Sequence, residues 1–398
     1  RRAYEIAREF RARRVPVVMG GMHATLLPDE VAEHADAVCT GDAETVWARI
    51  VADTADGRLA PRYDGALGVP QPGVTPRREL YSGKGYLPVS LLQFGRGCRH
   101  HCEFCAVGEY FSHRHYARPV PEVVAEIGEA GRRDLFFVDD NLVADPEAAK
   151  GLMRALVPLK VRWVSQSGID HVHDPELLEL FVASGCLGNV IGFESLDAEC
   201  LRQMRKAPNL RPAASSSAAG PGAGAPSRQV PSAVTVSAET YATEIAELRA
   251  RHLQTWAALV LGYDNDTPDS IRAMCDWAIG NRFTFAAFNV LMPYPNTPLY
   301  TRLAEEGRLL YDGRWWLHPG YRFNHAAFRP ARMTADELTE IGWECRRRWS
   351  SPGSIVRRAF EPHTNMASIE RFALYCAYNP LFRRETFRKQ SMHLGTQP

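Results

Sequence analysis

Three cysteines stand within eight residues, in Gly95-Arg-Gly-Cys98-Arg-His-His-Cys102-Glu-Phe-Cys105. Thiolates spaced C-x3-C-x2-C on one loop can reach three corners of an iron–sulfur cube, and fully ligated clusters use four. No fourth cysteine lies nearby, so one iron stays open for a substrate or cofactor. Gly95, Gly97 and Gly108 let the loop wrap closely round such a cube. A structural zinc is one alternative. It needs four ligands, and His100, His101, His113 or His115 would have to supply the fourth. A coincidental cluster of thiols without metal is the other. The six remaining cysteines (39, 186, 200, 275, 345 and 376) fall in apolar segments and read as buried thiols. An odd count without disulfide-like pairing points to a reducing cytosol.

The elements that must position this loop follow a regular rhythm. Apolar strands are expected at 88–94, 135–138, 161–164, 190–193, 255–261 and 283–291, with helices between them. Pro121, Pro146, Pro175 and the Thr267-Pro268 pair open those helices. Six β/α units in a row imply a parallel α/β sheet curling into a partial, open (β/α)6 barrel over residues 88–306. Before it, 1–57 carries two strand–glycine turn–helix units, the C-terminal half of a doubly wound domain. The chain opens inside an amphipathic helix and reads as a fragment cut within that domain. Residues 58–87, rich in Pro, Gly and Arg, read as a linker. Residues 211–237 read as a disordered insertion, because 19 of the 23 residues 211–233 are Ala, Ser, Pro or Gly. A mostly helical C-terminal region, 307–398, completes the chain, with a capping box at Thr334–Glu337.

Composition sets outer bounds. Lys plus Arg total 47 against 46 Asp plus Glu, a net charge of 47 − 46 = +1. That balance argues against a nucleic-acid partner. With 45% hydrophobic and 23% charged residues the chain is globular, and no apolar run has the length of a membrane span. The arginines at 132–133, 346–348 and 383–384 read as solvated faces. Trp315, Trp316, His318, Tyr321 and Phe323 line a substrate cavity or pack the tail onto the barrel.

The C-x3-C-x-aromatic-C loop, with Phe104 after the first of six strands, resembles the radical S-adenosylmethionine superfamily over about residues 88–300. The resemblance implies a 4Fe–4S cluster on Cys98, Cys102 and Cys105, its open iron chelated by S-adenosylmethionine. Reductive cleavage would then give a 5′-deoxyadenosyl radical that takes hydrogen from a substrate. It also implies cofactor contacts at strand ends. Asp139 and Asp140 meet the methionyl amino group. Glu194 and Ser195, beside Gly192, meet the ribose, and Gly262 in Gly262-Tyr-Asp264 lies near the adenine. Phe104 and Gln166 face the same cavity. For each carboxylate a plainer role is capping the next helix.

The segment VPVVMGGMHATLLPDEVAEHADAVCTGDAETVW resembles the second half of the cobalamin-binding domain that precedes the radical core in one large subfamily. Gly20, Gly21 and Gly41 would let backbone approach the corrin. His23 does not match the loop used for histidine ligation and reads as a polar residue at a helix start. MPYPNTPLYTRLAEEGRLL and RKQSMHLG also match that subfamily, whereas Asn296 and the 211–233 insertion depart from it. The implied activity is cobalamin-dependent C-methylation of a small or lipid-like metabolite in the cytoplasm. An external electron donor such as a flavodoxin or ferredoxin would serve it. A radical cyclase or rearrangement enzyme without methyl transfer, or a non-catalytic metal-binding remnant, is the alternative. With only two units of its domain present, cobalamin is expected to be held weakly.

Overall fold

A computed structural model describes residues 1–68, 73–81, 83–210 and 238–395. The expectation of disorder at 211–237 lies outside the described residues.

The amino-terminal unit is a small parallel sheet of β1 (Val18–Met19), β2 (Ala37–Thr40) and β3 (Arg62–Asp64), in that order. The third strand corrects the linker expectation. Cys39 pairs with Tyr63 and Thr40 with Asp64, inside the stretch read as a connection. Its one apolar residue, Tyr63, is fully buried and donates its hydroxyl to Asp53 at 2.8 Å. A strand of Arg-Tyr-Asp offers no alternation to read, and its pairing is set by the neighbouring strand.

The main sheet follows the expected rhythm. After β4 (Ser90–Leu92) come two short strands, β5 (Gly95–Gly97) and β6 (His115–Ala117), which pair antiparallel as a separate ribbon. Then follow β7 (Asp134–Phe137), β8 (Arg162–Ser167), β9 (Cys186–Glu194), β10 (Gln254–Leu261) and β11 (Phe285–Val290). The six long-range partners lie in strict chain order, β4-β7-β8-β9-β10-β11, all parallel. The sheet is an open six-stranded one with β4 and β11 at its edges. Side chains from every strand and the covering helices form one core, with Trp163, Phe137, Phe181 and Phe193 deepest in it.

Local sequence chemistry starts these helices. Asp145, Asp174 and Thr267 each accept a backbone N–H at the first turn and are each followed by proline. Thr334 and Glu337 close the expected reciprocal cap on helix Ala335–Trp349.

The C-terminal region seals the β11 edge, and here the solvated-face reading of Arg346 needs correction. Arg346 is buried and donates to Phe288 O at 2.6 Å. Arg358 is wholly buried, with its guanidinium 3.6 Å from the Trp349 ring centre. It donates to Phe283 O, Trp349 O and Asn379 Oδ1 at 3.1–3.3 Å. Arg346 therefore satisfies a carbonyl of the edge strand β11, and Arg358 carbonyls of the turn leading into it and of Trp349. Burial without a carboxylate pushes Arg358 down to about 10. Arg358→Met should lower unfolding free energy by about 3 kcal/mol, because several buried carbonyls lose their donor together. Urea denaturation followed by circular dichroism measures this, and a loss under about 0.5 kcal/mol, the range of ordinary surface changes, would refute the seal.

Candidate active site

The cysteine loop leaves the carboxyl end of β4 and is pinned at its base by the β5–β6 ribbon. Cys102 is buried, while Cys98 and Cys105 are partly exposed. Cys105 N donates to Cys102 O at 3.1 Å, a tight turn that brings those two residues together. Asn141 Nδ2 lies 3.8 Å from Cys98 Sγ. Burial pushes the Cys102 thiol up to about 11, while Lys206 pulls it down. Among the described residues no three His, Cys, Asp or Glu side chains converge on one point as a single-ion cage requires. Three thiols that each bind a separate iron of a cluster need no such convergence.

Asp139 and Asp140 lie at the end of β7, facing this loop. Asp139 accepts from Phe94 N at 3.1 Å and from Gly95 N at 2.5 Å, and Asp140 accepts from Gly97 N at 3.0 Å. They cap neither the next helix nor open space. Asp145 caps that helix, and the two carboxylates instead fix the backbone leading into Cys98. Burial pushes Asp139 up to about 7 against the pull of its two backbone donors. Gln166 is exposed at the end of β8, with its amide donating to Asp140 O at 2.7 Å.

Glu194 ends β9 with φ +61°, a conformation that costs a non-glycine residue energy and recurs at functional sites. It is buried and accepts from Lys206 Nζ at 2.8 Å. Gly192 makes room for this pair. A Cβ there would stand 2.3 Å from Glu194 Oε1 and 2.9 Å from Lys206 Nζ. Lys206 also acts electrostatically on Cys102 and Cys105, so one ammonium links the ribose candidate to the thiols. Ser195 is wholly buried, and its hydroxyl accepts from Asp197 N at 3.0 Å, a turn role.

Gly262 follows β10 with φ +106°, and a Cβ there would meet Leu338 at 2.4 Å. Its amide donates to the buried Asp266 at 2.8 Å. Asp264 is paired with Arg302 and Arg308 at 2.7 and 2.6 Å, and Arg302 also holds Glu103, inside the cysteine loop, at 2.9 Å. Phe104 is partly buried, edge-on to Tyr263 with ring centres 6.4 Å apart. Two buried polar atoms around the loop have no partner, Tyr263 Oη and His115 Nε2. Nature rarely leaves such groups unpaired, so they point toward an occupant of this space.

The amino-terminal unit docks on the same loop. Arg96, between Gly95 and Gly97, bridges to Asp42 at 3.1 Å and Glu44 at 2.6 Å, and Tyr110 donates to Asp42 at 2.9 Å. Gly41 packs so closely that a Cβ would strike Gly65 O, and Gly20 lies tight against Cys39. Gly21 has open space where a side chain would stand. His23 shares Glu30 with Tyr4 and Trp316. The aromatic stretch is mixed: Trp316 is buried in this interface, whereas Trp315 stands edge-on to Tyr294, which is 45% exposed beside Cys105.

Sequence reasoning missed Lys206, Glu103, Arg302 and Arg96. Lys206 sits in an ordinary Arg-Lys run, and only the fold reveals its neighbours. Arg96 had a readable signal, a single charge flanked by two glycines. Arg96→Ala should cost about 2 kcal/mol, as for hydrogen bonds to charged groups, and speed amide exchange at Gly95–Gly97 about tenfold. Unchanged exchange would show that the ribbon holds the loop without the amino-terminal unit.

Comparison with known proteins bears on the fold that carries this loop. A family model of the radical SAM superfamily matches residues 92–213. The chain is 25% identical over 367 residues to bacteriochlorophyllide d C-12(1)-methyltransferase of Chlorobaculum tepidum, covering 89% of this chain and 73% of the relative. It is 24% identical over 297 residues to hopanoid C-2 methylase of Rhodopseudomonas palustris, covering 71% and 48%. The solved structure of the radical S-adenosylmethionine methyltransferase TsrM from Kitasatospora setae, with cobalamin and a [4Fe-4S] cluster bound, superposes with TM-score 0.57 at 19% identity. That match covers 76% of this chain and 62% of TsrM, and it establishes the shared fold. The matched span, residues 92–213, takes in the cysteine loop and strands β7, β8 and β9.

Proposed function

We propose that this chain is a radical S-adenosylmethionine methyltransferase that transfers a methyl group to carbon and works with cobalamin. The observation that carries the reading is the loop of three thiols at the carboxyl edge of the sheet, beside the buried Lys206–Glu194 pair. Cys98, Cys102 and Cys105 would hold a 4Fe–4S cluster. When bound, that cluster and S-adenosylmethionine supply reductive cleavage of the sulfonium, which gives the radical. The rest of the work falls to the chain's own groups. Asp139 and Asp140 hold the loop backbone in register. Lys206 places a positive charge beside the thiolates and beside the edge where an anionic cofactor group would lie. Glu194 has one carboxylate oxygen on Lys206 and the other available to a ribose hydroxyl. Gln166 and Phe104 border the same space, and Gly262 shapes its far wall.

Asp42, Arg96 and Tyr110 join the amino-terminal unit to the loop, so a cobalamin bound there would face the cluster. Gly20, Gly21 and Gly41 line the strand ends of that unit. TsrM binds both groups, which supports the pairing. The relatives' substrates, a bacteriochlorophyllide and a hopanoid, support a small or lipid-like substrate of apolar character. An external one-electron donor such as a flavodoxin or ferredoxin completes the scheme. All nine cysteines are free, in keeping with a reducing cytoplasm.

Anaerobically reconstituted protein should hold about four irons per chain. Cys98→Ala, Cys102→Ala or Cys105→Ala should abolish this, while Cys275→Ala, deep in the core, should not. Full iron after Cys102→Ala would end the reading. With a strong reductant and S-adenosylmethionine labelled at its methyl group, the label should pass to the product and 5′-deoxyadenosine should be released. Label found only in unreacted S-adenosylmethionine would exclude methyl transfer. Glu194→Ala should weaken S-adenosylmethionine binding by about 1–3 kcal/mol, the cost of leaving a buried partner unpaired. Wild-type affinity, read by calorimetry, would move the ribose contact elsewhere.

A further inference from the structure

The helix Ile369–Lys389 lies across the amino-terminal ends of the strands, opposite the cysteine loop. Glu370 pairs with Arg162 at the start of β8, Tyr378 stacks on Trp256 near the start of β10, and Phe382 meets Phe285 at the start of β11 with ring centres 3.9 Å apart. Tyr375 and Asn379 are buried on the same inward side. At 100° per residue Tyr375, Tyr378, Asn379 and Phe382 form one stripe, Glu370 stands off it at the helix start, and the opposite side of the helix faces outward.

That outward side is divided along its length. Its first three turns present Ile369, Phe372, Ala373, Cys376 and Pro380, with Ile369 89% exposed. Its last two turns present Arg383, Arg384, Arg388 and Lys389. Against them stands only Glu385, so residues 383–389 carry 4 − 1 = +3 while the whole chain carries +1. The neighbouring helix Pro352–Ala359, tied to this one by Tyr375 Oη donating to Ile355 O at 2.7 Å, exposes Val356 and Arg357. Single exposed apolar residues mean little on a folded surface. An outward face with exposed apolar residues along three turns, interrupted by Glu370 which Arg162 pairs, and with cations around Phe387 beyond them, matches an anionic apolar–aqueous boundary.

We propose that helix Ile369–Lys389 lies in the surface of a membrane containing anionic phospholipid. Its apolar turns would sit at the headgroup–acyl boundary and its cations on lipid phosphates. The orientation is in the plane, because among the described residues no helix is long and apolar enough to cross a bilayer. This inference does not rest on the proposed chemistry.

The test is co-sedimentation of the full 398-residue chain with two kinds of vesicle, phosphatidylcholine alone and equal parts phosphatidylcholine and phosphatidylglycerol. The chain should sediment with the anionic vesicles, more weakly as salt rises. Arg384→Glu with Arg388→Glu should weaken that binding about thirtyfold or more. Ile369→Glu with Phe372→Glu should abolish it with the circular dichroism spectrum and unfolding midpoint unchanged, since both positions face outward. Absence of binding to anionic vesicles would overturn the proposal. So would full binding by the Ile369→Glu, Phe372→Glu variant, which would leave only a surface charge effect. A wild-type dimer in solution that Ile369→Glu splits would assign the face to a second copy and equally overturn it.

Discussion

Strand β4 stops two residues short of a ribbon that must carry three thiols into the space above the sheet. Between them, the amides of Phe94, Gly95 and Gly97 have turned away from any strand partner. Asp139 and Asp140, on the adjacent strand, take all three. A carboxylate pair at the end of β7 thus substitutes for the missing ladder, and the direction in which Cys98 leaves the sheet depends on it. Burying two neighbouring carboxylates is costly, and burial does push both upward from their ordinary range. The cost persists because the alternative is three unpaired buried amides at the base of the loop.

The same logic recurs around the rim. Each of three half-buried cations there joins two separate elements. Lys206 joins the segment after helix Ala198–Gln203 to the end of β9. Arg302 ties the helix Pro298–Glu305 both to the turn after β10 and to Glu103 in the cysteine loop. Arg96 ties the loop to the amino-terminal unit. Such pairs add little net stability against apolar replacements, but breaking one strands a buried charge. Their effect is to fix geometry, which a radical site needs more than it needs stability. An unquenched radical must meet one carbon and not its surroundings.

The fold was legible because parallel strands buried on both faces read as continuous apolar runs, and proline with a capping residue marks each helix start. All six strands of the main sheet fall inside or beside the runs expected. The spacing singled out Cys98, Cys102 and Cys105, and the structure places them on one loop at the carboxyl edge of the sheet. What escaped depends on tertiary neighbours. The strand Arg62–Asp64 has no pattern of its own. Lys206 is one cation in a polar stretch until the fold places it 2.8 Å from Glu194. Arg346 reads as a solvated charge until the Phe288 carbonyl on the edge strand claims it. Asp139 and Asp140 were rightly singled out as strand-end carboxylates, yet their partners are backbone amides across the sheet, which no spacing rule encodes.

A parallel β/α sheet has two unlike ends, and this chain uses the difference. At the carboxyl ends the helix N-termini present partial positive charge and unpaired N–H groups, so anionic side chains and anionic ligands are stabilised there. Asp139, Glu194 and Asp266 are buried at that end, each with amide or ammonium donors. At the amino ends the strands begin with Arg162, Trp256 and Phe285, and helix Ile369–Lys389 covers them through aromatic contacts. The two ends cannot exchange roles, since apolar packing at the carboxyl edge would strand helix N-terminal amides without acceptors. The site therefore opens away from helix Ile369–Lys389 and toward the amino-terminal unit. Arg96, Asp42 and Tyr110 close the seam between that unit and the cysteine loop, with the exposed Tyr294 ring near Cys105.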